Sequence, residues 1–286
     1  DVAIDSVDWR VTEGTDTNRH GVIIDHTTAT YAGAGEKFGR RISVSRCRFA
    51  DDGYVPNSGS FRFASGVDFV CGQLVTLDEV VVAGARNGVI LDRSTGQVAA
   101  GAPVEMSDVT IKGGTFKPVA KGIMTDNTGG GMVVGGLDIE CNTLEGNLGS
   151  TRGIEFSAGV VMTKVAINDN RVRFFLTSPM QLLATTDTLS VDDNEIGGNS
   201  LNLAGISVNN ATNFTVNDNV MTGVFGTGID ILAACDRFAV NDNVINGSQP
   251  GIKLANGAQR FVVWGNQIVD EGGGEIVDLT GSTWKK

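Results

Sequence analysis

The sequence predicts a right-handed parallel β-helix, a single-stranded all-β solenoid of about ten rungs, and three observations lead to this fold. First, a phrase of alternating apolar residues around Asn-Asp-Asn recurs along the second half of the chain. Second, a Gly-Ile-x-apolar phrase falls between successive copies. Third, no helical segment separates the copies, so each strand must return in the same direction and stack on its predecessor.

The clearest copies of the first phrase lie between residues 165 and 268. Their apolar residues alternate with period two, which is the pattern of a strand and not of a helix. The spacing between copies stays at 23 to 25 residues, which indicates a repeat architecture. The Asn that closes each copy stands at Asn170, Asn194, Asn219, Asn243 and Asn266.

The same pattern predicts strands in the first half of the chain, with other residues in place of the Asn. We align residues 2–9, 42–49, 75–82 and 104–111 with it, and residues 132–139 more loosely. At about 4.8 Å per stacked strand, the ten rungs give a coil about 45 Å long. In this alignment the position of the Asn is taken by Val7, Cys47, Val80, Val109 and Leu137.

We expect a single β-helix domain over residues 1–286. Rungs within 1–160 are spaced by 28 to 40 residues, so their extra residues should leave the coil as loops, whereas 161–286 holds regular rungs with an Asn ladder. The sequence begins at Asp1 without Met and inside a predicted strand. We interpret it as a piece excised from a longer chain, because an open β-edge is normally covered.

The polar residues of the repeat predict a structural ladder beside an acidic column. Asn accepts the left-handed backbone of a sharp bend, and stacked amides hydrogen-bond along the axis. The Asp residues before the Asn are either solvated turn residues or a calcium site, because stacked carboxylates repel unless solvated or bridged by a cation. No other cofactor is predicted. The acidic column comprises Asp169, Asp193, Asp218 and Asp242.

Composition excludes several classes of partner. A net charge of −11 without any basic run argues against a nucleic-acid partner. The sequence also lacks a run of 18 apolar residues, so no membrane insertion is predicted. The four cysteines lack metal-ligand spacing and are expected to be free thiols, with Cys47 buried, which indicates assembly in a reducing cytoplasm. His20 and His26 are too few for a histidine metal site and are interpreted as loop residues.

Candidate catalytic residues lie on the outward side of the Gly-containing strands. Asp92 and Asp126 end strands of consecutive rungs, so their Cα atoms should be about 5 Å apart. Their carboxyl groups would then lie anywhere from contact to the roughly 5 Å of a retaining glycosidase pair. Glu155 follows one rung further on. This cluster is suited to protonate a glycosidic oxygen, bind a cation or abstract a sugar proton. In the alternative interpretation each Asp only bonds to its own turn.

Candidate substrate-binding residues surround these carboxylates. Arg62 or Arg93 would hold a substrate carboxylate with two hydrogen bonds, and Asn127 follows Asp126. Tyr31 and Tyr54 fall in the loops at 10–40 and 50–70, where their rings are placed to stack on sugar faces.

Apolar residues on the same outward flank predict self-association. In the alignment, Ile23, Arg62, Ile90 and Met124 share one outward column that continues to Glu155. Closed homo-oligomers are the usual outcome when such a flank is exposed.

The apolar-x-apolar-Asn-Asp-Asn rungs resemble the pectate-lyase-like superfamily of right-handed β-helices. Within it, the free cysteines, the absence of a signal segment and the open first rung most resemble a bacteriophage tailspike or tail-fibre depolymerase domain. The resemblance implies a polysaccharide substrate and, for a tailspike, a homotrimer on the virion tail that is assembled in the host cytoplasm. Neither the catalytic motifs of pectate lyases and polygalacturonases nor the Asp-Pro-His of alginate epimerases occurs here, so no family catalytic residue is carried across.

Three functions are therefore expected as alternatives. The first is a viral depolymerase that recognises and cleaves bacterial surface glycan. The second is a secreted bacterial polysaccharide lyase, hydrolase or epimerase. The third is a non-catalytic β-helix that binds glycan or supports a fibre. If the chain is an enzyme, it is a glycoside hydrolase or a polysaccharide lyase.

Overall fold

The computed structural model describes residues 2–11, 20–24, 40–53, 61, 63–70, 72–93, 95, 105–147, 149–198, 202–223, 225–269 and 276–280. Within them the chain winds into three parallel sheets of ten strands each, and every rung contributes one strand to each sheet. The predicted right-handed parallel β-helix and its ten rungs are confirmed.

The first sheet, sheet A, holds the strand with which each rung begins. Its members are β1 (Val2–Asp5), β4 (Arg40–Ser45), β7 (Gly72–Asp78), β10 (Glu105–Lys112), β13 (Val133–Glu140), β16 (Val161–Asn168), β19 (Thr185–Asp192), β22 (Ala211–Asn217), β25 (Asp236–Asn241) and β28 (Gln259–Trp264).

The second sheet, sheet B, follows after a sharp bend and consists of short strands. Its members are β2 (Asp8–Val11), β5 (Arg48–Asp51), β8 (Val81–Ala83), β11 (Thr115–Lys117), β14 (Thr143–Glu145), β17 (Arg171–Arg173), β20 (Glu195–Gly197), β23 (Val220–Thr222), β26 (Val244–Asn246) and β29 (Gln267–Val269).

The third sheet, sheet C, contains the strands of the Gly-Ile-x-apolar phrase and completes each rung. Its members are β3 (His20–Ile24), β6 (Ser65–Phe69), β9 (Asn87–Asp92), β12 (Lys121–Asp126), β15 (Arg152–Phe156), β18 (Ser178–Leu182), β21 (Asn202–Val208), β24 (Phe225–Ile231), β27 (Ile252–Leu254) and β30 (Ile276–Asp278).

Inward residues of the three sheets form one continuous apolar core along the coil. Each column stacks like on like because parallel neighbours in register place the same side of the strand inward. Phe238 shows this most clearly, since its ring stacks on Phe214 at a centroid distance of 4.7 Å and on Phe261 at 5.2 Å. The offset rings add favourable contacts to the area they bury.

The Asn residues at the bend between sheets A and B form the predicted ladder. Each donates its Nδ2 group to the Oδ1 atom of the Asn one rung on, as from Asn194 to Asn219 at 2.9 Å and from Asn219 to Asn243 at 3.0 Å. Nδ2 of Asn219 also donates to the carbonyl oxygen of Val191 at 2.8 Å. The ladder is therefore structural, and its amides are buried and bonded on both sides.

The ladder is longer than predicted because the alignment of rungs four and five was wrong. Val109 pairs with Val75 and with Leu137, so the residues at the ladder position are Gly114 and Asn142, five places further on. The N–H of Gly114 donates to Oδ1 of Asn142 at 2.9 Å. Each long strand of sheet A carries two apolar-x-apolar segments, and the pattern alone does not distinguish them.

The left-handed backbone at the bend belongs to the residue before the Asn and not to the Asn itself. Asp169, Asp193, Asp218 and Asp242 have φ between 55° and 59°. The Asp side chain at each bend points outward, while the Asn that follows it points into the core and stacks on the Asn of the next rung. The predicted role of Asn as the left-handed residue is therefore wrong, although its role in the ladder is confirmed.

The acidic column at these bends is exposed to solvent. The pKa of Asp193 is raised by partial burial and by the neighbouring carboxylates of Asp218 and Asp169. Among the described residues no group of three or more His, Cys, Asp or Glu side chains is placed to hold a metal ion. Calcium binding by this column stays a prediction.

The glycines at the start of the sheet C strands fill positions that cannot hold a side chain. A Cβ atom on Gly122 would lie 2.4 Å from the carbonyl oxygen of Gly153, and one on Gly88 would lie 2.5 Å from that of Gly122. The Gly-Ile-x-apolar phrase thus marks a corner where consecutive rungs approach too closely for a Cβ.

Three of the cysteines lie among the described residues and are free thiols, as predicted. Cys47 and Cys235 are buried, while Cys141 is exposed. Burial raises the pKa of the Cys235 thiol to about 11. Cys71 lies outside the described residues.

Replacement of Asn219 by Leu should lower the free energy of unfolding by about 1–3 kcal/mol, because the ladder amides on both sides lose a buried partner. Asn246→Leu, at an exposed residue of β26, is the matched control and should change stability by less than about 0.5 kcal/mol. Denaturant unfolding of both variants measures the difference. Equal losses at the two positions would refute the ladder's role.

Candidate functional site

The outer side of sheet C in rungs three to five brings the predicted carboxylates together. Asp92 at the end of β9 is the direct register partner of Asp126 at the end of β12, which places their Cα atoms about 5 Å apart. Met124, two residues before Asp126, is the partner of Glu155 in β15. The predicted adjacency of the three rungs is therefore correct.

Asp126 is already engaged by the turn that follows it. Its Oδ1 atom accepts the backbone N–H of Thr128 at 3.0 Å, and its carbonyl oxygen accepts the N–H of Arg93 at 2.7 Å. This is the turn-forming role that Asp often takes after a strand. Asp92 is buried, with 8 % of its surface exposed. Both carboxylates are thus built into the end of the sheet.

Glu155 lies between two cationic side chains. Its Oε2 atom is 2.6 Å from Nζ of Lys121, and its Oε1 atom accepts Nη1 of Arg152 at 2.8 Å. Lys121 and Arg152 are themselves register partners on adjacent strands. Both oxygens of Glu155 therefore face a cation, and the cluster carries one more positive than negative charge.

Asn127 braces the loop that leaves β12. Its Oδ1 atom accepts the N–H of Met132 at 3.0 Å, and its carbonyl oxygen accepts the N–H of Gly130 at 2.9 Å. Its amide nitrogen lies 3.3 Å from where a Cβ of Gly159 would be. The Asn127 side chain thus holds the loop in place beside the candidate site.

An open groove of about 300 Å³ lies beside the ends of β12 and β15. Its wall combines polar groups with apolar surface, to which Met124 and Ala158 contribute. The lining residues are Lys121, Met124, Thr125, Asp126, Asn127, Thr128, Ser157 and Ala158.

Arg93 follows β9 on the rung below this groove. It is buried, with 9 % of its surface exposed, and its Nε atom has no hydrogen-bond partner in the part of the chain that the structure describes. Its carbonyl oxygen accepts the N–H of Gly129 at 2.9 Å, which ties it to the loop after β12. The sequence placed Arg93 correctly beside the carboxylate pair.

Three residues of the predicted site lie outside the described residues, namely Arg62, Tyr31 and Tyr54. The alignment that put Arg62 in the outward column was wrong, because the strand is Ser65–Phe69 and Asp68 is the partner of Ile90. The Ser60–Ala64 segment carries the same alternation as the true strand, which explains the error.

The predicted apolar flank is largely covered. Ile23 is 51 % exposed, but Ile90 and Met124 are 9 % and 8 % exposed. Neither Ile90 nor Met124 belongs to the core cluster, so both sit on the outer side of the sheet as predicted and are nonetheless buried. The interpretation of these two as an exposed association surface is wrong.

Sequence reasoning missed a polar cluster around His20, which begins β3 and is not a loop residue. Its Nδ1 atom lies 2.6 Å from Oγ of Ser65 and 3.2 Å from Oδ2 of Asp68. Burial lowers the pKa of His20. One ring nitrogen faces both partners and Ser65 is fully buried, so this is not the arrangement of a nucleophilic triad. The sequence does indicate that His20 begins a strand of sheet C, because a Gly follows it directly, as one follows Lys121 in β12.

Among the described residues no helix is both long and apolar enough to span a membrane.

Comparison with known proteins agrees with this architecture. Residues 65–283 match the family model described as a right-handed beta helix region, and the chain belongs to that family. No curated protein matches the sequence.

Two solved structures are similar in fold. The crystal structure of PfbA, a surface adhesin of Streptococcus pneumoniae, aligns with a TM-score of 0.54 and 16 % identity over 83 % of this chain and 70 % of that chain. A second structure of the same surface protein and adhesin aligns with a TM-score of 0.58 and 13 % identity over 97 % and 91 %. At such identity the likeness shows the fold alone.

Proposed function

We propose that this chain is a polysaccharide-binding β-helix of an exposed or secreted protein, and that it holds a glycan across the outer side of sheet C in rungs three to five. The observation that carries the proposal is the groove beside β12 and β15. It gathers a lysine amine, a carboxylate, an amide and three hydroxyl groups around an apolar patch. The adhesins of similar fold favour a surface location.

The groove has the chemistry that a sugar ring requires. A saccharide presents hydroxyl groups at its edge and C–H groups on its face, so it needs both convergent polar groups and apolar contact. Thr128 is exposed, while Ser157 and Lys121 are partly exposed, so their polar groups lie within reach of a ligand. Met124 and Ala158 supply the apolar contact.

The outer side of sheet C continues this surface toward the C-terminal rungs. Gln181, Ser207, Asp230 and Lys253 follow Glu155 in one register column. Nζ of Lys253 lies 3.4 Å from Oδ1 of Asp230. Repeated polar groups at strand spacing suit an extended polymer better than a small ligand.

Binding without cleavage is favoured by the state of the carboxylates. A general acid must reach the glycosidic oxygen with a free carboxyl group. Oδ1 of Asp126 is bonded to its own turn, and both oxygens of Glu155 face cations.

Depolymerisation, as in a phage tailspike, is the second candidate function. It is supported by the register of Asp92 and Asp126, because neighbouring Cα atoms permit the close carboxyl groups that a retaining glycosidase needs. In that case one carboxyl group acts as acid and the other as base or nucleophile, in a glycoside hydrolase or a polysaccharide lyase.

Blocking the groove should abolish glycan binding without unfolding the chain. Ala158 is exposed and lines the groove, so Ala158→Trp should weaken binding to the best glycan of a panel at least about tenfold, or about 1.4 kcal/mol. Calorimetric titration measures the change. Ala233→Trp is the matched control, because Ala233 follows β24 as Ala158 follows β15 and is also exposed. Unchanged binding by Ala158→Trp would place the site elsewhere.

The depolymerase candidate has its own test on any glycan that binds. Asp92→Asn and Asp126→Asn should each reduce the release of reducing ends or of unsaturated product by about a hundredfold or more, as expected for loss of an acid or base. Asp138→Asn, at an exposed residue of β13 on sheet A, is the control and should retain turnover. Absence of product from the wild type, or full turnover by both Asn variants, would eliminate this pair as catalysts.

The tailspike resemblance also predicts a homotrimer. Light scattering should return about three times the 29.9 kDa of one chain. Ile23→Lys should reduce this mass, because Ile23 is the exposed member of the predicted flank, whereas Val262→Lys, at an equally exposed residue of β28, should not. A single-chain mass for the wild type would contradict the trimer.

A further inference from the structure

We propose that Arg93 is a receptor for an oxyanion of the ligand, so that the glycan bound by this chain is an acidic one. The identity of the ligand as a glycan rests on the proposed function. The inference that the ligand is acidic rests only on the surroundings of Arg93.

Arg93 is a buried cation that has no counter-ion among the described residues. More than nine-tenths of its surface is covered, and its buried Nε atom donates to no acceptor. Over the ranges that the structure describes, no carboxylate forms an ion pair with its guanidinium. The nearby Glu155, by contrast, has Lys121 and Arg152 as partners.

The turn carboxylate beside Arg93 does not fill this role. Asp126 accepts the backbone N–H of Arg93 through its carbonyl oxygen, but its Oδ1 atom is bonded to the N–H of Thr128. The main chain of Arg93 is therefore fixed to rung four, while its buried Nε atom has no acceptor among the described residues.

An unpaired guanidinium in this position is unfavourable for the ligand-free protein. Arginine does not lose its proton in proteins, so it cannot escape burial by becoming neutral. An unpaired buried charge costs far more than a paired one. A carboxylate, sulfate or phosphate would satisfy it, because each can accept two parallel N–H bonds from the guanidinium fork.

The loop next to Arg93 is built without side chains. A Cβ on Gly131 would lie 3.6 Å from Nη1 of Arg93, while one on Gly130 would meet no atom within 4 Å. Both glycines have φ of 73°, which disfavours any other residue. Bare backbone at Gly131 therefore borders one side of the guanidinium, and the adjacent Gly130 faces open space.

Small anions test the receptor directly. Melting temperatures should be compared in sodium sulfate, phosphate and glucuronate against sodium chloride of equal ionic strength. A specific site predicts a saturable rise for at least one of the three anions, since a ligand that binds only the folded chain stabilises it. Arg93→Gln should lose the rise, and Arg86→Gln, at an exposed arginine of the same rung, should keep it.

A second measurement separates this role from a merely structural one. Without added anion, Arg93→Gln and Arg93→Met should melt at or above the wild-type temperature, because each removes an unpaired buried charge. A structural arginine would instead melt lower when replaced. If Arg93→Met fails to fold, Arg93→Gln and Arg93→Lys carry the test. An anion-induced rise that persists in Arg93→Gln, or a rise in no anion, overturns the proposal.

Charged polymers identify the source of the anion and connect it to the groove. Binding to dextran should be compared with binding to its sulfate, phosphate and carboxymethyl derivatives, which share one backbone. The wild type should prefer at least one derivative about tenfold or more, about 1.4 kcal/mol, and Arg93→Gln should lose the preference. Equal binding of dextran and all derivatives would overturn the acidic ligand.

The two proposals fail in distinguishable ways. Neutral glycan binding that Ala158→Trp abolishes, together with no effect of Arg93→Gln, leaves the proposed function standing and removes the anion receptor. If small anions raise the melting temperature in an Arg93-dependent way but no glycan binds, the anion receptor stands and the proposed function is removed.

Discussion

From rung four onward, the register between rungs depends on the Asn ladder at the bend between sheets A and B. Each amide donates to the next rung, from Asn142 to Asn266, and the N–H of Gly114 joins rung four to it. A slip of one residue would reverse every side chain of a strand and would leave these buried amides unpaired. The ladder starts at rung four, so the position of Asp92 opposite Asp126 follows from the pairing of rungs three and four in all three sheets.

The same constraint separates scaffold from site within one short repeat. Inward residues must match their neighbours above and below, so the core columns are uniform and apolar. Outward residues of sheet C have no such obligation, and Met124, Glu155 and Gln181 follow one another without a pattern. Variation along an outward column is therefore the place where a β-helix acquires specificity, while its bends remain constant.

The sequence predicted the fold well because the repeat period is a long-range property that local errors do not disturb. It failed where one strand contains two equivalent segments, as at Val109 and Leu137, because period-two alternation looks the same in both. To place Asn142 in the ladder, the alignment would have had to match the Asn residues of successive rungs first and the apolar alternation second. The pairing of Asp92 with Asp126 followed from register alone, whereas the ion pairs of Glu155 depend on the rotamers of Lys121 on the neighbouring strand and of Arg152 on the same strand.

The direction of the ladder also has a mechanical consequence. The hydrogen bonds that join rungs run along the coil axis, because strands are spaced in the hydrogen-bonding direction. A pull along that axis would load the rung-to-rung contacts in series, and the weakest junction would open first. A pull along the strands would instead shear many bonds of one sheet together. The orientation in which this coil is tethered would therefore set the tension at which it yields.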